Sequence, residues 1–291
     1  MIAYFTNLAS LGAIFCILAA TLNVAVGYAG IFSVAHAVFF GLGAYAGAQV
    51  SLLLIPDALV AMVVAALVAG ALSLCLALPA LRVRGEYFVA ASLGLQMMAV
   101  TLFSEAKTLT GGIGGLTGIP RPHILGVEVS TLPVALAALA LILLATALLM
   151  RGSFGRTLQA IRDGESAAEA LGKNVAAAKA LAVAFACAGA GVAGALFAMH
   201  MQFVNVESFN LDQSVLIMAM VIIGGTGTLW GPLVGAVILL SLPAGLAFMP
   251  FIPSTEVGAV QQIIYGLAMT LLMVFRPAGL VGDLSRGKSH A

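Results

Sequence analysis

The sequence predicts an all-α fold, a polytopic transmembrane bundle of eight or nine helices, or ten if every broken or re-entrant segment is counted. Composition is the first observation, since 62% of the 291 residues are hydrophobic and 8% are charged. The second is a mean hydropathy of +1.15, whereas soluble domains are roughly half apolar and about 25% charged. The third is the recurrence of charge-poor windows of about 20 residues, the length that crosses a bilayer. We therefore expect residues 1–291 to form a single transmembrane domain.

Seven of these windows are clear, with boundaries that are approximate. They run from Leu8 to Gly27, Ile31 to Leu54, Ala58 to Leu81, Tyr87 to Phe103, Leu132 to Met150, Ala178 to Met201 and Val260 to Phe275. A further apolar stretch between Asp212 and Pro250 is interrupted by the glycine-rich residues 224–232. This pattern predicts two more helices that meet at a glycine-rich joint, where irregular backbone must be buried in protein or face water.

The distribution of basic residues predicts the orientation of the bundle. Those that follow the third, fifth and last windows are Arg82, Arg84, Arg151, Arg156, Arg162, Lys173, Lys179, Arg276, Arg286 and Lys288. The other side has only Lys107 and Arg121. Cytoplasmic loops carry an excess of Lys and Arg, so the C-terminus should be cytoplasmic and, with nine spans, the N-terminus outside. The first window lacks a basic leader and a cleavage site, so we expect it to stay attached.

Charge and cysteine content exclude several classes of protein. A net charge of +1, from 12 basic and 11 acidic residues, is too balanced for a nucleic-acid-binding surface. Cys16, Cys75 and Cys187 lie singly in apolar stretches, which gives neither a disulfide framework nor a metal site. The expected surroundings of this chain are the lipid bilayer and membrane partners.

Two nucleotide-binding patterns occur without the context that gives them their chemistry. Residues 282–289 have the spacing of a phosphate-binding loop, but no helix can follow them before residue 291. Residues 189–194 match a dinucleotide fingerprint, yet they lie within an apolar window. For the second pattern we predict close helix packing, in which small residues let neighbouring backbones approach.

The predicted spans contain no clear internal acid, which bears on the energy source. Ion-driven transporters usually place a carboxylate or histidine in the membrane, and here only His36 and His200 are candidates. His36 follows a glycine- and serine-containing interruption at residues 24–36 that predicts a helix break. Such a break can line a substrate path. The alternative is a packed, hydrogen-bonded histidine.

The segment from Arg151 to Lys179 holds eight of the chain's 23 charged residues. An apolar stripe at helical intervals predicts short amphipathic helices, and its members are Leu158, Ile161, Ala168, Leu171 and Val175. Asp163 is suited to cap the second helix, and Glu165 to favour its positive end. Gly172 is suited to end it in a left-handed conformation. Such helices can dock in a partner's groove, or lie on the surface without a partner.

Five ordered motifs over nearly the full length carry a resemblance to a known family. They are Leu22–Gly30 with Ser33, His36 and Gly41–Tyr45; Leu109–Gly112 with Gly115–Leu116 and Gly118–Pro120; Phe154–Arg156 with Ala160–Arg162, Glu165 and Ala167–Gly172; Gly224–Pro232; and Phe275–Leu280. In these the chain resembles the LivM-type permeases of branched-chain amino acid ABC importers. Larger members have a longer N-terminus, and Gly164 stands here where the resemblance leads us to expect an acidic residue.

The resemblance implies a permease domain in the bacterial inner membrane that translocates branched-chain or related amino acids into the cytoplasm. It implies a second homologous permease subunit, two cytoplasmic ATPases and an external substrate-binding protein. The chain itself would be no enzyme and would bind no cofactor, since the partner subunits use the ATP.

The implied sites fall into two groups. The ATPase-coupling loop at residues 151–179 would act through Arg156, Arg162, Asp163, Glu165, Glu169, Leu171 and Gly172. Polar or amphipathic residues beside glycine breaks are candidates for the translocation path, and these are Asn23, Ser33, His36, Thr226, Thr228 and Trp230. Each of them could instead serve helix packing or anchoring at the membrane interface.

Two other classes of function remain as alternatives. An ion-coupled secondary transporter or channel for small polar solutes should show an intramembrane acid and internal symmetry. A membrane-embedded enzyme should show a convergent nucleophile, base or metal set. The sequence shows none of these features. It does not distinguish leucine, isoleucine or valine from urea, amides, short peptides or aromatic acids as cargo.

Overall fold

A computed structural model describes residues 2–53, 55–81, 86–124, 126–247, 257–275 and 279–281. In this part of the chain, six helices are long and apolar enough to cross a membrane and three shorter ones are also apolar. The predicted all-α bundle is therefore confirmed, whereas the predicted count of eight to ten helices stays a prediction. In chain order the helices are α1 (Ile2–Asn23), α2 (His36–Leu53), α3 (Ala58–Leu81), α4 (Glu86–Glu105), α5 (Lys107–Thr110), α6 (Thr131–Arg151), α7 (Ser153–Asp163), α8 (Glu165–Ala170), α9 (Val175–Met201), α10 (Leu211–Gly224), α11 (Gly231–Ala247) and α12 (Val257–Phe275).

The two ends of the bundle differ in structure. One end holds α7 and α8, together with the end of α1 and the α10–α11 connection, and we call it the α7–α8 end. The opposite end holds four two-residue strands: β1 (Leu116–Thr117), β2 (His123–Ile124), β3 (Val127–Glu128) and β4 (Phe203–Val204). Strand β1 pairs with β4, and β2 with β3, both antiparallel. An open cleft of about 640 Å³ lies there between the β2–β3 hairpin and the ends of α1, α6 and α9.

The predicted break between the first two spans is confirmed. Helix α1 continues into a π-helical segment, Val24–Tyr28, and Gly30 has a left-handed φ of 69°. The chain then runs without helical structure to His36, where α2 begins. This span begins about five residues after the approximate start predicted at Ile31, because the amide of Ile31 still bonds back to the carbonyl of Ala25 at 2.8 Å.

Helix α9 packs at the centre of the bundle against α1, α2 and α3. A Cβ atom on Gly43 of α2 would lie 2.3 Å from the Cα of Gly191, and one on Gly194 would lie 2.2 Å from the carbonyl oxygen of Phe40. No side chain larger than hydrogen fits at these positions without moving a backbone. The dinucleotide-like residues 189–194 thus serve close helix packing, as predicted.

Some sequence predictions concern residues outside the described part of the chain. These are the phosphate-loop-like residues 282–289 and the basic residues Arg82, Arg84, Arg276, Arg286 and Lys288. The predicted cytoplasmic charge excess can be followed in the structure only at the α7–α8 end.

Candidate functional site

Helix α7 is amphipathic and packs along one side on the bundle. Leu158 and Ile161 are buried, whereas Arg156 and Arg162 are exposed residues on the same helix. A Cβ atom on Gly155 would lie 2.1 Å from the carbonyl oxygen of Met150, so the first turn of α7 presses on the last turn of α6. The apolar stripe therefore holds α7 against the spans, and Arg156 and Arg162 stay in part accessible to solvent.

Helix α8 departs from the prediction at two residues. Ala168 is buried, as the predicted stripe requires, but Leu171 is 79% exposed. Leu171 falls outside the buried stripe because the helix ends at Ala170, whereas Val175, the last predicted member, is buried at the start of α9. Asp163 is not the cap of α8, since it is the last residue of α7 and Gly164 is the N-cap residue without a side-chain hydrogen bond.

Gly172 ends the α8 turn in the left-handed conformation that the sequence predicted, with a φ of 75°. Its amide donates to the carbonyl of Glu169 at 2.9 Å, and the amide of Lys173 donates to that of Ala168 at 3.1 Å. These two bonds satisfy carbonyls that the short helix would otherwise leave open. Leu171 is thereby fixed at the tip of the segment, pointing away from the protein core.

An ion pair ties α8 to the start of α9. Lys179 Nζ lies 2.8 Å from Glu165 Oε1, and the lysine side chain is the more buried of the two. Glu165 also lies in the first turn of α8, where a carboxylate is favoured by the helix dipole, as predicted. Glu169, one turn later, is exposed.

Arg162 reaches from α7 into the broken connection after α1. Its Nη1 donates a hydrogen bond to the backbone carbonyl of Gly27. A Cβ atom on Gly30 would lie 3.1 Å from Arg162 Cγ, and one on Gly227 would lie 3.0 Å from Arg162 Nη1. The arginine side chain is therefore bordered by glycines from two segments that are far apart in the sequence.

Residues 225–230 join α10 to α11, and we call them the glycine turn. Asn23, which is 1% exposed, binds this turn at two points. Its Nδ2 donates to the carbonyl of Thr228 at 2.8 Å, and its Oδ1 accepts from the amide of Gly227 at 2.9 Å. The end of α1 and the glycine turn are thus held together by one buried side chain.

Other residues of the glycine turn have separate roles. Thr228 Oγ1 donates to the carbonyl of Gly225 at 3.0 Å and accepts from the amide of Gly231 at 3.1 Å, so it closes the start of α11. Thr226 is half-buried, and Trp230 is 63% exposed.

Ser33 and His36 lie apart from the glycine turn. They line a small cavity of about 50 Å³ between α1, α2, α4 and α9, a space that suits water molecules. His36 is buried, with Nε2 at 3.4 Å from the hydroxyl of Thr21, and Ser33 Oγ accepts from the amide of Ala35 at 3.4 Å.

A polar network that sequence reasoning missed holds the first turn of α2. Buried Gln96 donates to the carbonyl of Phe209 at 2.7 Å and accepts from the hydroxyl of Ser214 at 3.1 Å. Ser214 in turn accepts from the amide of Ala37 at 3.0 Å. The available signal was a glutamine in the middle of an apolar window, since a buried amide in a span needs partners.

The structure therefore divides the six candidate path residues into two groups. Asn23, Thr226, Thr228 and Trp230 belong to the glycine turn and its attachment, whereas Ser33 and His36 face the small cavity. Their contact with a transported solute stays a prediction. Among the described residues, no group of three His, Cys, Asp or Glu side chains could hold a metal ion.

Comparisons with known proteins give one family. The model of a family described as "Branched-chain amino acid transport system / permease component" matches residues 4–275. LivM, a high-affinity branched-chain amino acid transport system permease protein of Escherichia coli, is 28% identical over 94% of this chain and 69% of its own length. LivM of Salmonella typhimurium matches with the same identity and coverage. The autoinducer 2 import system permease LsrC of Klebsiella pneumoniae is 31% identical over 52% of this chain and 44% of its own length. No solved structure matches the chain.

Proposed function

Because the chain belongs to the family of branched-chain amino acid transport system permease components, we propose that it moves branched-chain or related amino acids into the cytoplasm as the membrane-spanning subunit of an ABC importer. The observation that carries the proposal is the α7–α8 segment. Its inner side packs on the spans through Leu158 and Ile161, while charged residues and Leu171 stay exposed on its outer side. An element of this kind can bind an external motor and pass its movement to the spans.

The positions of the acidic residues support an external energy source. Within the described apolar helices, Asp and Glu occur only in first or last turns, at Glu86, Glu105 and Asp212. Coupling to a proton or cation gradient generally requires a group inside the membrane that binds the ion. In this part of the chain no carboxylate is placed for that task, so the ion-coupled alternative has no support from these residues.

Partner subunits complete the importer in this proposal. A second homologous permease forms the pore with this chain, two cytoplasmic ATPases bind the α7–α8 end, and an external binding protein delivers the solute to the opposite end. ATP is used by the ATPases, and this chain binds no cofactor. The described basic residues support this orientation, because the α7–α8 end has Arg151, Arg156, Arg162, Lys173 and Lys179, whereas the opposite end has Lys107 and Arg121.

The transport cycle follows from differential affinity for two states of the pore. ATP binding draws the two ATPases together, which moves α7 and α8 as a body. The spans then change the end at which the pore is open, and hydrolysis reverses the change. The solute moves inward because the binding protein delivers it to one state and the cytoplasm receives it from the other.

Reconstitution tests the proposal. The permease is purified with candidate ATPases, a sister permease and a binding protein from the same organism, placed in proteoliposomes, and supplied with radiolabelled leucine. We expect uptake that needs both ATP and the binding protein, and that stops when ATP is replaced by a non-hydrolysable analogue. Uptake driven by an ion gradient in vesicles holding this chain alone would contradict the proposal and support the secondary transporter.

A second cargo class is favoured by one comparison. The LsrC relative belongs, by its name, to an autoinducer 2 import system. Import of another small polar solute is therefore the second candidate. Binding of a panel of amino acids, amides and small signalling molecules to the partner binding protein, measured by calorimetry, decides between the two.

A further inference from the structure

Arg162 occupies an unusual position for a residue of a docking helix. The residue is exposed, as a contact to a partner would be, but its guanidinium turns inward to the carbonyl of Gly27. From this geometry we infer that Arg162 is a positioning residue that joins α7 to the break after α1 and to the glycine turn. The inference rests on the proposed function, and it assigns Arg162 to coupling within the permease instead of to binding of an ATPase.

The glycines around Arg162 have the conformations and the space that this link requires. Gly30 and Gly227 both have positive φ, 69° and 74°. Cβ atoms there would lie 3.1 Å from Cγ and 3.0 Å from Nη1 of the arginine, which is tighter than ordinary contact. A Cβ atom on Gly27 would lie 2.4 Å from the amide nitrogen of Gly227. The break after α1 and the glycine turn thus both pack closely against the Arg162 side chain of α7.

The chemistry of the contact suits an arginine. The last carbonyls of a helix have no partners within the helix, and the negative end of the helix dipole lies there. A guanidinium that donates to such a carbonyl forms a charge-assisted hydrogen bond, which is stronger than a neutral one. Lysine keeps the charge but has a shorter reach and a different donor geometry, so it is an imperfect substitute.

Two side chains therefore connect three elements, which are α7, the end of α1 and the glycine turn. Arg162 connects α7 to the end of α1, and Asn23 connects the end of α1 to the glycine turn at 2.8 and 2.9 Å. When α7 moves, the break before α2 and the α10–α11 connection must move with it, as long as both links hold. Without Arg162, the described contacts that hold α7 are those of its apolar side and its neighbours in sequence.

Arg156 provides a matched control on the same helix. It is also exposed, but its Nη1 lies 3.5 Å from the carbonyl of Arg151, within its own segment. Removing the Arg156 side chain alters the charge of the docking surface without removing a link between α7 and the glycine turn.

The test uses the complete importer in proteoliposomes with two spin labels. One label is placed on α7 at Ala160→Cys and one on α11 at Val234→Cys, both exposed positions, in a background with the exposed Cys75 changed to Ser. The distance between the labels is measured by pulsed EPR without nucleotide and in an ATP-trapped state. Transported solute per ATP hydrolysed and the amount of co-purified ATPase are measured on the same preparations.

In the parent complex we expect one distance distribution in both states. In Arg162→Ala we expect a distribution that broadens or shifts between the states, and a transport-to-hydrolysis ratio that falls about tenfold or more, as for loss of a charge-assisted hydrogen bond. The amount of ATPase that co-purifies should stay within about twofold of the parent. The reason is that any exposed contact of Arg162 with the ATPase adds little to binding. Arg156→Ala should leave the distance distribution unchanged, and Arg162→Lys should lie between Arg162→Ala and the parent.

Two results would overturn the inference. One is an Arg162→Ala complex with the parent's distance distribution and transport ratio. The other is loss of the ATPases from Arg162→Ala, which would make Arg162 a partner contact. If the Arg162→Ala permease itself does not fold, Arg162→Lys supplies the same comparison. A parent complex that does not import would instead contradict the proposed function.

Discussion

The side-chain amide of Asn23 donates a 2.8 Å hydrogen bond to the backbone carbonyl of Thr228, 205 residues later in the chain. Its oxygen accepts the amide of Gly227 at 2.9 Å, so a single buried side chain satisfies two backbone groups of the glycine turn. Backbone amides and carbonyls that are buried without helical partners require partners of this kind. Asn23 therefore allows the α10–α11 connection to be non-helical where it meets the end of α1.

Replacing Asn23 with alanine should destabilise the protein. The carbonyl of Thr228 and the amide of Gly227 would lose their partner, and an unsatisfied buried group costs about 1–3 kcal/mol. We expect a lower apparent Tm of the detergent-solubilised permease, measured by thermal unfolding with a thiol-reactive or intrinsic fluorescence signal.

Asn7→Ala is the control, because Asn7 is an exposed residue near the start of the same helix. Its Tm should equal that of the parent. Equal Tm values for Asn23→Ala and the parent would show that the glycine turn holds its shape without this link.

The sequence predicts the helices of this fold better than their links. Hydropathy locates the nine apolar helices of the described residues, because lipid favours apolar side chains whatever their neighbours are. It cannot show that Asn23, Gln96 and Arg162 bind backbone groups 205, 113 and 135 residues away. Carbonyls and amides are the same in every residue, so such partners leave no pattern in the sequence.

Sequence patterns of a few residues likewise predicted the structure only where neighbouring residues alone determine it. Gly172 has the predicted left-handed conformation because the end of a helix favours glycine whatever surrounds it. Leu171 was wrongly placed in the buried stripe, because its exposure depends on where α8 ends and not on the helical period.

Gly43→Ala should disrupt the centre of the bundle. The new methyl group would lie 2.3 Å from the Cα and 2.4 Å from the carbonyl oxygen of Gly191, so α2 and α9 would have to separate. Overpacking of a core typically costs about 1–3 kcal/mol, and a clash with two backbones belongs at or above the upper end. The expected result is a strong loss of monodisperse protein in size-exclusion chromatography.

Gly94→Ala is the matched control for this substitution. Gly94 lies in α4, and no atom outside its own stretch of helix lies within 4 Å of an added Cβ. Alanine there should be neutral, or stabilising by up to about 1 kcal/mol, since alanine is the better helix former. Similar losses for Gly43→Ala and Gly94→Ala would contradict the packing of α2 on α9.

Leu171→Ala should weaken ATPase binding without changing the stability of the permease. The side chain is 79% exposed, so the permease alone loses little contact when it is shortened. Burial of a leucine at an interface contributes about 1.5–3 kcal/mol, which corresponds to a tenfold or greater change in affinity. The measurement is the ATPase concentration that gives half-maximal complex formation.

Leu158→Ala should lower the stability of the permease and leave its affinity for the ATPases unchanged once it has folded. Leu158 is fully buried on the inner side of α7, and truncation of such a leucine costs about 2–5 kcal/mol of stability. A Leu171→Ala permease that binds the ATPases as tightly as the parent would remove Leu171 from the docking surface.

The ion pair between Glu165 and Lys179 should contribute little to the stability of the permease. The glutamate side chain is 47% exposed, and exposed pairs are usually worth less than about 1 kcal/mol. A double-mutant cycle with Glu165→Gln and Lys179→Met, read out by Tm in low and high salt, should give a small coupling energy that salt reduces. A coupling energy above about 2 kcal/mol would mean that the pair is shielded from water.

Thiol labelling should reveal the orientation of the bundle. Asn7 and Glu169 are both exposed, at opposite ends, and each is changed to Cys in a background with Cys75→Ser. A membrane-impermeant maleimide added to intact spheroplasts should label the Asn7→Cys protein, whereas the Glu169→Cys protein should react only after lysis. Leu141→Cys, in the middle of α6 and 68% exposed, should stay unlabelled in both cases because maleimides react with the thiolate, which lipid disfavours. Labelling of Glu169→Cys in intact spheroplasts would place α7 and α8 outside the cell, out of reach of a cytoplasmic ATPase.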